Sequence, residues 1–216
     1  FASIPGAVSE IAYSLGYIGG TKAQSAVEKI VGDANPNLRI AGVESLVEMG
    51  AKSSVRTLTK VVKSGTGDLK SVMDAIAMLG GASDASTLTA LAAKNEALKS
   101  KSEAGLKAIE AAGTCKEDLA CWGTKLADAN ATVRRRAVRE LGWASHQESL
   151  EGLLKAAEDD DPRVRIAAHS ALIRLKGVDV AKLESIHKTW SKKSEYRNAN
   201  QDLKRTIALL KNTQGA

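Results

Sequence analysis

The sequence predicts an all-α fold, a right-handed helical solenoid of about six hairpins closed by a C-terminal capping helix. Three observations carry that expectation. A small residue follows a helical apolar run six times, at steps of 31 or 32 residues: Gly19, Gly50, Gly81, Gly113, Ser145 and Gly177. Pro5, Pro36 and Pro162 each stand 14 residues before Gly19, Gly50 and position 176. Three units open on one string, Asp33-Ala-Asn-Pro36-Asn-Leu38-Arg39, Asp128-Ala-Asn-Ala131-Thr-Val133-Arg134 and Asp159-Asp-Asp-Pro162-Arg-Val164-Arg165. A period of this length marks a stacked array in which each unit buries its apolar face only against its neighbours.

The units fall near 1–32, 33–62, 63–93, 94–126, 127–157 and 158–190, with a last helix over 194–211, and together read as one array. Residues 1–18 include Phe1, Ile4, Tyr13 and Tyr17 and carry no polar cap, so more sequence or a partner is expected to cover them. The start at Phe1 in place of methionine fits a processed chain or a piece of a longer one. In the second unit, Leu38, Ala41, Leu46 and Met49 recur at helical spacing from Pro36, a residue suited to the first helical position. Gly50 then reads as a helix stop, and Val55, Leu58, Val61 and Val62 line one side of a helix over 53–62.

The same pattern places helices at 68–79 and 84–93, at 98–112 and 116–126, at 132–142 and 147–157, and at 163–175 and 180–190. The final helix repeats the phase, since Tyr196-Arg197 falls 32 residues after Val164-Arg165 and Leu203, Ile207 and Leu210 continue the apolar stripe. Lys204, Arg205 and Lys211 give it a wet side, as a terminal cap requires.

The Asp-x-x-Pro-x-[Leu/Val]-Arg-x-x-Ala string followed by an apolar helix and a small residue resembles the HEAT repeat family, in its short phycobilisome-lyase-like bacterial form. The likeness is strongest at 33–50, 128–145 and 159–177 and weakest at 63–113, where Lys70 and Ser102 replace the arginine. It implies a right-handed superhelix whose first helices line the concave side, and scaffolding or partner binding far more often than chemistry. Fold alone does not settle function.

The repeated charges read first as structure. Asp33, Asp128 and Asp159 precede helix starts, where a carboxylate caps backbone amides, and Arg39, Arg134, Arg165 and Arg197 are placed to reach an aspartate of the adjoining unit. Residues that do not recur are the better site candidates. Along the first helices, positions four apart share a face and read Tyr13 and Tyr17, Glu44 and Glu48, Ala75 and Leu79, Lys107 and Ala111, Arg139 and Trp143, Ser170 and Arg174. A solvent-facing stripe of this kind runs from aromatic through acidic to basic. Tyr, Trp and Arg are enriched at interface hot spots, so Tyr13, Tyr17, Glu44, Glu48, Lys107, Arg135, Arg139, Trp143 and Arg174 are the expected contacts for a protein or peptide. The bland alternative is an ordinary wet face with Trp143 packed against Trp122 or Leu141.

The chain carries 31 lysines and arginines against 25 acids, a net charge of +6, and its densest positive run is Arg134-Arg135-Arg136 with Arg139. A basic surface neutralises phosphates, so nucleic-acid binding in the manner of HEAT-like alkylpurine DNA glycosylases is the second reading. Against it, Trp122, Trp143 and Trp190 are dispersed, and Asp159, Asp160 and Asp161 would repel a phosphate backbone.

Cys115 and Cys121 are the only cysteines. Inside one straight helix they would stand too far apart to bond, but with Cys115 in the turn after Gly113 a disulfide becomes reachable. A bond implies an oxidising compartment, periplasm or cell surface; two reduced thiols would fit the cytoplasm. His146, His169 and His187 are isolated, and no nucleophile-base pair, phosphate loop or metal-ligand spacing occurs. The expectation is therefore a noncatalytic module without cofactor or metal, part of a larger protein or complex. No stretch is apolar enough to insert in a membrane.

Overall fold

The computed structural model describes residues 5–64, 68–175, 178–192 and 197–214. Phe1, Ile4, Gly177, Ser194 and Tyr196, which the sequence reading used, lie outside the described residues. Helices, with short 3₁₀ turns, make up the fold, and no strand occurs among the described residues. Two compact units divide the chain, Phe1–Lys116 and Glu117–Ala216, and the boundary falls inside the fourth expected repeat.

Unit 1 holds α1 (Pro5–Ile18), α2 (Gly20–Ile30), α3 (Pro36–Glu48), α4 (Val55–Lys63), α5 (Leu69–Leu79), α6 (Ala85–Lys94) and α7 (Lys99–Cys115). Its odd-numbered helices pack in sequence, α1 on α3, α3 on α5 and α5 on α7, while α2, α4 and α6 each lie against the odd helix that follows. Unit 2 holds α8 (Leu119–Lys125), α9 (Ala131–Ala144), α10 (Leu150–Ala156), α11 (Pro162–Arg174), α12 (Val180–Trp190) and α13 (Arg197–Gln214). There α9 packs on α11 and α11 on α13, with α8, α10 and α12 set against α9, α11 and α13. Each layer buries small and branched side chains. Ala137, Val138, Ala167, Ala168 and Leu172 are fully enclosed between α9 and α11 or nearly so, and Gly142 approaches Ala171 so closely that an added Cβ would sit 2.6 Å from its methyl.

The recurring Asp-x-[Asn/Asp] string is a self-contained corner. Asp33, Asp128 and Asp159 each accept the backbone N–H two residues on, from Asn35, Asn130 and Asp161, at 2.8 Å in every case. The helix caps are those second residues: Asn35 accepts from Asn37 N–H at 2.9 Å, Asn130 from Thr132 at 2.8 Å and Asp161 from Arg163 at 2.8 Å. Capping therefore belongs two positions later than expected, because the first aspartate is used to turn the chain. Each arginine closes its own corner. Arg39, Arg134 and Arg165 donate through Nη1 to the carbonyls of Asp33 and Ala34, Asp128 and Ala129, and Asp159 and Asp160. Pro36 and Pro162 stand first in α3 and α11, where no N–H is missed.

The small residue after each odd helix solves its turn in different ways. Gly50 takes φ +67° and Ser145 takes φ +57°, the left-handed conformation that stops a helix. Serine holds that conformation while its hydroxyl donates to the Arg174 carbonyl at 2.6 Å. Gly113 does not end its helix: α7 runs two residues further to Cys115, and Lys116 at φ +51° makes the reversal. The second helix of that repeat, expected from residue 116, begins only at Leu119, capped by Asp118.

Candidate interaction surface

In unit 1 the packing of α1 on α3 sets Tyr13 beside Glu44, 31 residues apart, and the phenol donates to Glu44 Oε2 at 2.8 Å. Gly16 permits this approach, since a Cβ there would lie 3.1 Å from the Ser45 Cα. Tyr13 is 37% exposed and Tyr17, one turn on, is 51% exposed. Partial burial, the bond to Glu44 and the negative fields of Glu44 and Glu10 push the Tyr13 hydroxyl up to about 12. It thus stays a protonated donor throughout the ordinary pH range. Glu44 is exposed and Glu48 half-buried, and α1 contains neither lysine nor arginine.

Further along the stripe the surface closes, because Ala75, Leu79 and Ala111 are buried where α5 and α7 pack. Lys107 is exposed. A pair absent from the sequence reading, Lys101 with Asp74 at 2.6 Å, bridges α7 and α5; the 27-residue interval repeats nowhere in the motif, so nothing in the sequence marked it.

In unit 2 the expected wet, basic stripe is not found. Arg139 is buried, 7% exposed, and Ser170 is buried too, while Arg135, Trp143 and Arg174 are half-buried. The cause is the position of α9, packed against α8, α10 and α11, so that every residue from Arg136 to Gly142 is buried. Trp122 and Trp190 are buried as well.

The arginine run likewise does not form a free positive patch. Arg134 binds Asp159, and Arg136, 2% exposed, donates through Nε and Nη2 to Glu140 Oε1 at 2.9 and 2.8 Å. Burial pushes the Arg136 guanidinium down, and Glu140 opposes that. The signal available in the sequence was the i,i+4 spacing of Arg136 and Glu140 among Val133, Ala137 and Leu141.

Cys115 and Cys121 are disulfide-bonded, linking the last residue of α7 to α8. Cys115 is itself helical, and the reversal at Lys116, in place of a turn after Gly113, brings the sulfurs together. His187 Nδ1 lies 2.6 Å from Asn200 Oδ1 and His169 Nε2 lies 3.1 Å from Thr206 Oγ1, so both rings join α13 to its neighbours. Among the described residues no group of three His, Cys, Asp or Glu side chains could hold a metal ion, and no helix is long and apolar enough to cross a membrane.

No curated protein matches this sequence. An engineered protein of known crystal structure is similar at 14% identity over 96% of this chain and 90% of its own, with a TM-score of 0.35. Residues 122–193, from α8 past the end of α12, match the family of HEAT repeats. The matched segment contains two of the three Asp-x-[Asn/Asp] corners and the Arg134 and Arg165 clamps, and its similarity is to HEAT repeats.

Proposed function

We propose that the protein is a noncatalytic interaction module that binds a protein or peptide on the odd-helix face of unit 1. The observation that carries this reading is the pair of exposed tyrosines on α1, Tyr13 and Tyr17, with Tyr13 bonded to the exposed Glu44 of α3. Exposed aromatics with one polar tip supply large contact area at low conformational cost. HEAT repeats, which residues 122–193 match, serve protein partners generally.

The disulfide supports placement in an oxidising compartment, the periplasm, cell envelope or exterior. The arginine run gives no comparable support to nucleic-acid binding, because Arg134 and Arg136 are already engaged by carboxylates and Arg139 is buried.

A photo-crosslinking amino acid at position 17 tests the reading in extract of the native compartment. One discrete crosslinked partner is expected, lost when Tyr13→Ala and Glu44→Lys are added while helical circular dichroism is unchanged. Equal crosslinking in that variant, or a continuum of products, would reject the surface.

A further inference from the structure

Helices α2 and α4 of unit 1 present a face of opposite character. On α2, Ala23 and Val27 are buried, and Lys22 and Lys29 lie on the far side, exposed. On α4, Val55 and Leu58 are buried, and Arg56, Lys60 and Lys63 form an exposed i, i+4, i+7 row. The end of the turn that leads into α4 is tied to α2, since Gln24 Nε2 donates to Ser53 Oγ at 2.7 Å and to Ser54 Oγ at 2.8 Å, and Ser54 Oγ donates to Glu28. Lys29 and Lys60 stand 31 residues apart, at the same place in successive repeats. None of these five cations has a hydrogen-bond or ion-pair partner among the described residues. The carboxylate within these two helices, Glu28, is half-buried and occupied by Gln24 and Ser54.

Unpaired like charges held together repel one another, so their arrangement has a structural cost that an anionic partner relieves. We infer that the α2–α4 face adsorbs reversibly to an anionic bilayer surface. Four of the five cations are lysines, point charges on flexible stems that suit a fluid field of headgroups, whereas base readout draws on arginine forks and stacking rings. No large apolar side chain is exposed on α2 or α4 among the described residues, so contact is electrostatic, without insertion. The side chains around the cations, Thr21, Ser25, Ala26, Thr57 and Thr59, are small, so none of them stands above the cationic tips. This face is distinct from the tyrosine face, so the two readings fail separately.

Co-sedimentation of the full chain with vesicles at low salt tests the inference. Binding is expected to vesicles of phosphatidylcholine mixed with phosphatidylglycerol and not to phosphatidylcholine alone. Lys60→Ala should weaken partitioning roughly fivefold, and combined Lys29→Glu, Arg56→Glu, Lys60→Glu and Lys63→Glu should abolish it with helicity intact. Tyr17→Ala should leave it unchanged. Equal binding to neutral vesicles, indifference to the charge reversals, or tighter binding to duplex DNA at matched phosphate concentration would each overturn the assignment.

Discussion

Arg134 grips Asp159, 25 residues ahead, through a two-bond fork: Nε to Oδ2 at 2.7 Å and Nη2 to Oδ1 at 2.8 Å. Its third nitrogen, Nη1, binds the carbonyls of its own corner, so one side chain fastens two successive corners. Asp159 also accepts Asp161 N–H, which ties the pair to the cap of α11. The first corner lacks this link. Arg39 Nε is buried without a hydrogen-bond partner among the described residues. Arg134→Lys keeps the charge and loses the fork, and should lower stability by about 1–3 kcal/mol in urea melts.

Acid should loosen the same corner. The hydrogen bond from Arg163 holds the Asp161 carboxyl at about 2, below its usual value, with partial burial opposing and the Arg163 backbone N–H assisting. A group depressed on folding contributes stability that is complete above its unfolded value and lost as pH falls through its folded value. Thermal stability should therefore decline between roughly pH 4 and pH 2. Asparagine caps the equivalent helices at Asn35 and Asn130, so Asp161→Asn should preserve the fold at neutral pH. It should also remove part of the acid-dependent loss; an unchanged profile would mean that other carboxylates govern it.

The corner was legible in the sequence because its contacts are local: residue i to i+2, i+2 to i+4, and i+6 back to i and i+1. Repetition exposed those positions three times over. What spacing could not settle was which of two acceptors caps the helix, since Asp128 and Asn130 both have the chemistry. Of the expected ladder of arginines the described residues hold the rung from Arg134 to Asp159, because a rung depends on a residue 25 positions away and not on the motif; the Arg197 side chain lies outside the described residues. The burial of Arg139 was illegible because three neighbouring helices cover α9, and helical periodicity assumes one covered face. Tyr13, Tyr17 and Glu44, on α1 and α3, kept the exposure that their spacing suggested.

Reduction should weaken the corner between α7 and α8. The Cys115–Cys121 bond closes a short ring through Lys116, whose positive φ is uncommon for a residue with a side chain. Chain-entropy arguments give about 2 kcal/mol for so short a ring. Cys115→Ser with Cys121→Ser should lower the melting temperature, and adding reductant to that variant should change nothing further. Thiol titration of unfolded protein from its native compartment should find no free thiol; two would place the chain in a reducing environment.

Gly142 sets the spacing of α9 and α11. Gly142→Ala would put a methyl 2.6 Å from the Ala171 Cβ and 3.0 Å from its Cα, and neither the Cα nor the Cβ fixed to it can turn aside as a longer side chain can. The helices must separate, at a cost of about 1–3 kcal/mol. Ala171→Gly should restore part of that loss, a coupling read by a double-mutant cycle in urea. Additive losses would show that the two positions do not limit the approach.

The Arg136–Glu140 pair separates stability from specificity in the middle of α9. Both side chains are nearly sealed from water, and two guanidinium nitrogens converge on one carboxylate oxygen. Removing one partner leaves a buried charge, so Glu140→Leu alone should cost about 3–5 kcal/mol. Replacing both, Arg136→Met with Glu140→Leu, removes the desolvation penalty together with the attraction and should recover most of that loss. If the pair serves chiefly to fix the seating of α9, the double variant should melt at or above the parent temperature with a broader transition and faster amide exchange along α9. A sharp transition with parental exchange would mean that packing of Val133, Ala137 and Leu141 is sufficient to seat the helix.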